Sequence, residues 1–288
     1  MRPQGKTLSD NDIDRMVDRT VLITGATDGL GRDLAVRLGA AGARLILHGR
    51  NPDRAAAVAA EVSAASGHVP LIILADLSRL AEVDRLADEI IARTSRLDVL
   101  VNNAGTGGRP DGRRELSADG NELLWAVNHL APYRLTRRLL PLLRTSAPAR
   151  VVNVASAGQQ EIDLDDPTPE HDYDVYTAYC RAKLAMIMAT IEYAEELDGT
   201  GVTVNALHPA TLMATTMVLE SGVTPISTVA EGTDATLRLI CDPGLSRMTG
   251  RYFNGTRQSR PHAQADDPKA RRRLLEISDT AVISAVGR

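Results

Sequence analysis

Apolar residues of this 288-residue chain fall into short, uninterrupted runs that alternate with longer stretches of helical spacing. A run that is apolar throughout, rather than at every second position, is typical of a strand covered on both faces of a sheet. The strands predicted in this way cover residues 20–24, 43–48, 69–75, 97–102, 149–154, 202–207 and 250–253. Helices are predicted from the turn after the first strand to about residue 41, and at 53–65, 79–94, 119–144, 176–198 and 228–241.

This regular alternation predicts one α/β domain. Short connections between strand and helix are typical of a doubly wound sheet, here with about seven parallel strands and helices on both faces. We expect the domain to cover residues 19–261. A polar leader at 1–18 precedes it, and a charged tail with one helix at 262–288 follows it.

Composition places the chain among ordinary globular proteins. Hydrophobic residues make up 43% and charged residues 24%, and the formal net charge is −4. Without a dominant basic block, nucleic acid is not expected as a partner. The two cysteines, Cys180 and Cys241, argue against a disulfide framework and fit a reducing compartment. No apolar run approaches about 18 residues and no apolar segment follows the first residues, so we expect a soluble, cytoplasmic protein without a membrane span or secretory signal.

A glycine-rich turn follows the first strand and opens a helix. Glycines at 25, 29 and 31 allow a sharp turn and leave no Cβ where a pyrophosphate must approach. The helix that follows offers unpaired N–H groups and the positive end of its dipole. The same residues could form only a tight strand-to-helix connection. The position of the turn favours nucleotide binding by the residues Gly25, Thr27, Asp28, Gly29, Leu30 and Gly31.

Tyr179 and Lys183 are four residues apart, on one face of a predicted helix. A nearby cation stabilises a phenolate, so Lys183 is expected to lower the pKa of Tyr179 toward the range of a general acid/base. This spacing also occurs by chance on solvated helices. Tyr176 is a rival phenol, but its partner four residues on is Cys180, so Lys183 selects Tyr179. Cys180 is interpreted as a packing residue rather than a nucleophile.

With these motifs in order, the chain resembles the classical short-chain dehydrogenase/reductase family over about residues 18–255. The family combines a Rossmann-type sheet with a glycine turn, an adenine-contacting pair, an Asn-Asn-Ala-Gly element and a catalytic tetrad. The matching residues here are the turn from Thr24 to Gly31, Asp76-Leu77, Asn102-Asn103-Ala104-Gly105, and the tetrad Asn128, Ser156, Tyr179 and Lys183.

The resemblance implies further cofactor contacts. Besides the glycine turn, the residues expected to bind the dinucleotide are Arg50, Asn51, Asp76, Leu77, Asn103, Ala104, Gly105, Tyr179, Lys183, Pro209 and Thr215. In the last region the chain has His208-Pro209-Ala210 where the family commonly has Pro-Gly, and either Thr215 or Thr216 could supply the expected hydroxyl. No metal site is expected.

The end of the second strand indicates which dinucleotide is used. A carboxylate at position 49 would bind the ribose hydroxyls of NAD and repel a 2′-phosphate, but the chain has Gly49 there. Arg50 comes next, and its guanidinium offers a fork of donors suited to phosphate. Arg50 could also be a plain surface charge. We therefore predict NADP(H), with NAD(H) possible, and Asp28 as a mild signal against NADP.

The tetrad implies a reaction. Tyr179 would exchange a proton with the substrate oxygen as a hydride moves between the nicotinamide and carbon. Lys183 would also hydrogen-bond the nicotinamide ribose, Ser156 would hold the substrate oxygen, and Asn128 would anchor a water that relays protons to Lys183. Taken singly, Ser156 could be only a turn hydroxyl and Asn128 only a polar helix residue.

Two features resemble the retinol-dehydrogenase-like branch. Ser156 and Tyr179 are 23 positions apart, with an acidic segment at 161–174 between them, and the chain carries Asn128-His129-Leu130. The segment 161–174 is interpreted as a surface loop that could gate access. A lid at 209–227 carries apolar side chains, which favour a hydrophobic ketone, aldehyde or alcohol over a charged metabolite, although these side chains could also only pack the lid.

Two other functions stay open. The chain could bind NADP(H) as a sensor or structural ligand without turnover, although the complete tetrad counts against this. An epimerase or dehydratase of the extended branch is disfavoured by the glycine spacing. The resemblance also predicts a homodimer or homotetramer that pairs through the helices near 119–144 and 176–198.

Overall fold

A computed structural model describes residues 10–109 and 111–287 of the chain. Residues 1–9 of the predicted leader lie outside the described residues. From Asp10 onward the leader contains a short helix, α1, and a turn of 3-10 helix. Met16, at the end of that turn, is buried in the core beside the first strand.

The sheet has eight strands in the order β3-β2-β1-β4-β5-β6-β7-β8. Seven are parallel, and β8 pairs with β7 in the antiparallel sense. The strands are β1 Thr20–Ile23, β2 Arg44–Gly49, β3 Leu71–Leu74, β4 Val99–Asn102, β5 Ala149–Val154, β6 Val202–His208, β7 Tyr252–Asn254 and β8 Arg257–Ser259. The prediction of a doubly wound α/β domain is confirmed, with one antiparallel edge strand more than expected.

Helices cover both faces of this sheet. They are α1 Asp10–Ile13, α2 Gly29–Ala40, α3 Pro52–Ser66, α4 Leu80–Arg93, α5 Leu123–Trp125, a π-helix at Ala126–Leu130, α6 Ala131–Thr145, α7 Val175–Glu196, α8 Thr216–Glu220, α9 Val229–Cys241 and α10 Pro268–Val286. Apolar side chains of α4, α6, α7 and α10 form one core cluster, and those of α2, α3 and α9 form the other.

Local sequence accounts for the ends of the helices that frame the site. Asn51 caps α3, because its side chain accepts a hydrogen bond from the Arg54 N–H. Pro52 occupies the first turn of α3, where no N–H partner is needed. Asp174 caps α7 by accepting from the Thr177 N–H at 2.7 Å. These caps fix where α3 leaves the second strand and where α7 enters the site.

The tail after residue 261 is anchored to the domain by α10. Arg271 is buried, and its guanidinium forms ion pairs with Glu192 and Glu195 of α7 at 2.6 Å each. The hydroxyl of Ser278 lies 2.7 Å from His129 Nε2 in the π-helix. Within the described part of the chain, no helix combines the length and the apolar character needed to cross a membrane.

Candidate active site

The turn between β1 and α2 depends on its glycines. Gly25 and Gly29 have φ angles of 64° and 47°, in the left-handed region that residues with a Cβ avoid. A Cβ at Gly31 would collide with the carbonyl oxygen of Gly25. The side chain of Leu30 is buried beneath the turn. The three glycines therefore keep Cβ atoms away from the turn and the N-terminus of α2, as the close approach of an anionic ligand requires.

Asp28 joins this turn to the lid. Its Oδ1 accepts a hydrogen bond from the Gly29 N–H at 2.7 Å, and its Oδ2 accepts one from the hydroxyl of Thr216. The methyl group of Thr215 lies so close that a Cβ at Gly29 would be 2.8 Å from it. The structure thus brings both lid threonines, 215 and 216, to the glycine turn. Pro209 follows β6 and lies beside Gly232 of α9.

The segment after β4 supports the turn from the other side. Asn103 donates from its side-chain amide to the carbonyl oxygens of Thr24 and Gly25, at 2.9 and 3.0 Å. The hydroxyl of Thr24 accepts from the backbone N–H groups of Asn103 and Ala104, both at 3.0 Å. Asn102 is buried in the sheet, where its amide donates to Asn153 at 2.7 Å. This element therefore fixes the turn to the centre of the sheet.

On the outer side, the structure places the predicted cofactor residues around the ends of β2 and β3. Arg50 is exposed and, among the described residues, forms no ion pair. Asn51 has its side chain committed to the cap of α3, and the Oδ1 of Asp76 accepts from the N–H and hydroxyl of Ser78. Leu77 is buried. Thr27 and Asp28 line a cleft of about 350 Å³ together with Arg54.

These features fit a dinucleotide. Gly25, Gly29 and Gly31 leave a cradle that side chains would fill, and the N-terminus of α2 offers the positive end of its dipole to a pyrophosphate. Arg50 directly follows β2 and is exposed. Within the described residues, no group of three His, Cys, Asp or Glu side chains could hold a metal ion.

The four tetrad residues come from three parts of the chain and meet near the carboxyl edge of the sheet. Tyr179 and Lys183 lie on α7, and Ser156 follows β5. Ser156 is close enough to the hydroxyl of Tyr179 to lower its pKa by hydrogen bonding. Lys183 is buried, and its Nζ donates to the carbonyl oxygen of Val154 at 3.0 Å and lies 5.8 Å from the centre of the Tyr179 ring.

Asn128 completes the group from the π-helix. Its side chain is fully buried and exchanges two hydrogen bonds with the backbone of Thr106, at 3.0 and 2.9 Å. A Cβ at Gly105 would lie 2.8 Å from Asn128 Oδ1 and 3.3 Å from Lys183 Nζ. Gly105 therefore lies beside both the side-chain amide of Asn128 and the ammonium of Lys183. Because Gly105 has no side chain, no Cβ fills the space next to these two groups.

The protonation behaviour of the pair differs from the expectation. Burial raises the pKa of Tyr179, and the hydrogen bond with Ser156 lowers it only in part. The expected lowering of this pKa by Lys183 is therefore not what the structure shows. The reason is that burial of the Tyr179 hydroxyl itself disfavours the charged phenolate. Burial also lowers the pKa of Lys183, to about 8.

The rival groups behave differently. Tyr176 is 66% exposed, and its hydroxyl is hydrogen-bonded to Cys180 rather than to a cation. Cys180 is buried, and burial raises the pKa of its thiol, which opposes formation of a reactive thiolate. The structure thus places Tyr179, and not Tyr176, beside Lys183, and it places Cys180 in the packed interior.

Several supporting residues have no signal in the spacing of the sequence. The hydroxyl of Tyr252 and the amide of Gln159 both donate to the carbonyl oxygen of Ser156, at 3.0 and 3.1 Å. Glu122 is buried, caps α5, and accepts from the hydroxyl of Tyr173 in the acidic segment 161–174 at 3.0 Å. The contacts of Tyr252 with Ser156 and of Tyr173 with Glu122 join residues distant in the chain, so no local motif marks them.

Comparison with known proteins agrees with this site. The family model described as short chain dehydrogenase matches residues 19–223. Retinol dehydrogenase 14 of Mus musculus is 36% identical, over 93% of this chain and 86% of its own length. Retinol dehydrogenase 13 of Homo sapiens is 33% identical, over 89% of this chain and 82% of its own.

Solved structures agree as well. An oxidoreductase from E. coli superposes with a TM-score of 0.70 at 28% identity, covering 88% of this chain and 99% of that one. A protein of Escherichia coli CFT073, described as a short chain dehydrogenase and solved with NADPH, gives the same TM-score and identity over 84% and 98%. With its family model, relatives and fold in agreement, the chain belongs to the short-chain dehydrogenase/reductase family of NAD(P)-using oxidoreductases, in its retinol-dehydrogenase-like branch.

Proposed function

We propose that this chain is an NADP(H)-dependent oxidoreductase that transfers a hydride between the nicotinamide and a hydrophobic ketone or aldehyde, or the corresponding alcohol. The observation that carries this proposal is that Tyr179, Lys183 and Ser156 lie together, with Lys183 Nζ 5.8 Å from the centre of the Tyr179 ring and Ser156 acting on the pKa of Tyr179. This arrangement offers two hydroxyl groups to one substrate oxygen.

In the direction of reduction, the hydroxyl of Ser156 holds the carbonyl oxygen as an uncharged donor, and Tyr179 gives its proton to that oxygen. The raised pKa of Tyr179 keeps the phenol protonated and ready to donate. Lys183, held by the carbonyl of Val154, supplies the nearby positive charge that stabilises the phenolate left behind. Asn128 fixes the backbone at Thr106 beside this group. When bound, the nicotinamide supplies or accepts the hydride.

The preference for NADP(H) rests on Arg50. It is an exposed guanidinium without an ion pair among the described residues, next to a strand end that carries no acidic side chain. A relative in fold was solved with NADPH, which supports the same choice here. Arg50→Asp should raise the Kd for NADPH about 10–100-fold and change that for NADH much less, because charged hydrogen bonds to phosphate are worth about 1.5–3 kcal/mol.

Isothermal titration with both dinucleotides measures this. Arg44→Asp is the matched control, since Arg44 is exposed at the opposite end of the same strand and forms an ion pair with Asp18. An unchanged preference for NADPH in Arg50→Asp would refute the role of Arg50.

The substrate class is inferred from the lid. Leu212, Met217 and Leu219 are exposed on it, while Met213 packs against Gly232. An apolar, adaptable surface beside the tetrad favours hydrophobic carbonyls. The names of the relatives add retinol and retinal to the compounds worth testing. A panel of retinal, steroid, fatty and polyketide-like carbonyls, with a phosphorylated aldehyde as the counter-example, covers this proposal.

Oxidation of NADPH, followed by its absorbance, tests the reaction on that panel. Tyr179→Phe should lose at least about 10²-fold in kcat, the usual contribution of general acid catalysis, while still binding NADPH. Tyr176→Phe is the matched control and should keep its turnover. Retained activity in Tyr179→Phe would overturn the assignment. If NADPH stabilises the wild-type protein but no carbonyl is reduced, the chain acts instead as a cofactor-binding sensor.

Location and assembly also belong to the proposal. Cys180 and Cys241 are free thiols, which is consistent with the reducing cytoplasm and can be tested by cell fractionation. The expected pairing would use the helices near 119–144 and 176–198. Helix α10 packs across both, through Tyr133 and Asp279 at 2.6 Å and through Arg271, so pairing has to use the part of α6 and α7 that α10 leaves open. Analytical ultracentrifugation measures the outcome.

A further inference from the structure

His48 is a buried titratable residue to which the proposed reaction gives no role. It lies in β2, only 2% exposed, immediately before Gly49 and Arg50. Its strand pairs with β1 on one side and with β3 on the other. The imidazole therefore stands where the carboxyl ends of three neighbouring strands meet.

Both ring nitrogens are hydrogen-bonded to backbone. The N–H of Gly25 lies 3.2 Å from Nδ1, and Nε2 lies 3.0 Å from the carbonyl oxygen of Ala75. A backbone N–H can only donate and a carbonyl can only accept, so Nδ1 must be the acceptor and Nε2 must carry the proton. The contacts thus define one neutral tautomer of the ring.

The backbone of the same residue adds a third bond. The carbonyl oxygen of His48 accepts from the N–H of Ala26 at 2.9 Å. Two consecutive N–H groups of the glycine turn are therefore held by one residue of the neighbouring strand. Gly25 has a positive φ and lies against Ala104, where a Cβ would be only 2.9 Å from the Ala104 Cα, so the turn has little freedom to shift once this bond is made.

Nε2 of His48 contacts the segment after β3, which carries the residues expected at the adenine. Ala75 directly precedes Asp76 and Leu77, the pair expected at the adenine, and its own N–H donates to the carbonyl of Gly49 at 3.1 Å. The imidazole is the rigid spacer between the turn for the pyrophosphate and the segment for the adenine.

We propose that His48 is a positioning residue of the cofactor cleft, whose neutral imidazole sets the glycine turn at Gly25 relative to the segment from Ala75 to Leu77. The proposal rests on dinucleotide binding at this turn, as in the proposed function, but not on the choice between NADP and NAD. Burial lowers the pKa of His48 to about 4, so the ring keeps the required neutral form near pH 7.

Three substitutions distinguish the side-chain hydrogen bond to Gly25 from the one to Ala75. His48→Asn places an amide oxygen where Nδ1 stands, so it keeps an acceptor for Gly25 and loses the reach to Ala75. His48→Gln extends an amide nitrogen toward Ala75 and loses the acceptor for Gly25. His48→Leu removes both bonds while filling the space. The matched control is Asn205→Leu, which also removes a buried side chain that bridges two backbone groups, Met248 and Arg251, in another part of the sheet.

The affinity for NADPH, the kcat and hydrogen exchange together test the proposal. We expect His48→Leu to weaken NADPH binding about tenfold or more, since it leaves a buried N–H unpaired, and His48→Asn to stay within about threefold of the wild-type Kd. The kcat at saturating NADPH should change little in either. Hydrogen exchange of the peptide spanning residues 24–28, measured without cofactor, should be faster in His48→Leu and His48→Gln than in His48→Asn.

Asn205→Leu should lower the melting temperature without changing the Kd for NADPH. A His48→Leu protein that is less stable but binds NADPH like the wild type would overturn the proposal, as would equal losses in His48→Asn and His48→Leu. Failure of the wild type to prefer NADPH would instead count against the proposed cofactor. The affinities of the His48 variants would then be measured with NADH, and His48→Asn should again bind more tightly than His48→Leu.

Discussion

Lys183 is a buried cation on which the proposed proton transfer depends. Burial lowers its pKa to about 8, and among the described residues its Nζ finds a hydrogen-bond acceptor in the carbonyl of Val154. The phenolate that Tyr179 leaves behind after giving up its proton is stabilised only while Lys183 is charged. Lys183 is charged below its pKa, so carbonyl reduction should be fastest below pH 8 and fall above it.

The log of kcat/KM for reduction, measured from pH 6 to 10, should therefore be flat at low pH and decline above about pH 8, tenfold per pH unit where one proton is lost. Lys183→Arg keeps the charge at every accessible pH, because a guanidinium does not lose its proton in proteins. That variant should lose the decline near pH 8, even if its overall rate is lower. A decline at the same pH in Lys183→Arg would assign it to another group.

The end of β2 packs against Thr27 of the glycine turn, and this contact limits which side chain position 49 can carry. A Cβ at Gly49 would collide with the methyl group of Thr27, which leans over the end of the strand. Threonine is β-branched and stiff at χ1, so the methyl does not simply swing away. The position where a carboxylate would favour NAD is therefore closed by a residue of the turn itself.

Gly49→Asp alone should destabilise the protein by about 1–3 kcal/mol, the usual cost of overpacking, and weaken binding of both dinucleotides. Combined with Thr27→Ser, which removes the methyl, the same substitution should recover most of that stability and bind NADH better than NADPH. Thermal melts and titrations of the two single variants and the double variant measure the coupling. Additive effects of the two substitutions would show that Thr27 does not control position 49.

Some of these elements could be predicted from the sequence, and others could not. The central strands β1 and β4 are apolar runs whose four residues are all buried, so their position inside the sheet could be predicted from their sequence. By contrast, β8 consists of the exposed residues Arg257–Ser259 and pairs with β7 through its backbone, which no hydrophobic pattern reveals. The π-helix that carries Asn128 lies within a continuous helical pattern, and one extra residue per turn leaves no trace in the spacing.

The site divides in the same way. Tyr179 and Lys183 are brought together by the period of one helix, so their proximity follows from the sequence. Their pKa values do not, because the depth of burial is a property of the packed molecule, and burial reversed the expected shift of Tyr179. The contacts of His48 with Gly25 and Ala75 join three strands through backbone groups, and only the strand order reveals them.

Three histidines, His48, His129 and His208, are buried in separate parts of the molecule. Their burial predicts how the free energy of unfolding changes in acid. Burial lowers the pKa of His48 to about 4, that of His129 to about 3, and that of His208 as well, from the ordinary value of 6.5. Between about pH 6.5 and 4 the unfolded chain binds protons that the folded chain does not. The free energy of unfolding should therefore be undiminished above pH 6.5 and fall as the pH drops, by about 1.4 kcal/mol per pH unit for each such histidine.

Urea unfolding at half-unit steps from pH 7.5 to 4.5 measures this slope. His129→Gln removes one titrating group from the core, beside Ser278 of α10, so its curve should be flatter by about 1.4 kcal/mol per pH unit below pH 6, although its stability at pH 7 is lower because a buried contact is lost. His68→Gln is the matched control, because this imidazole is exposed and unfolding changes its contact with solvent little. Its curve should keep the wild-type slope. If His129→Gln and His68→Gln both kept that slope, buried histidines would not be the origin of the acid sensitivity, and the carboxylates of the ion pairs would have to supply it.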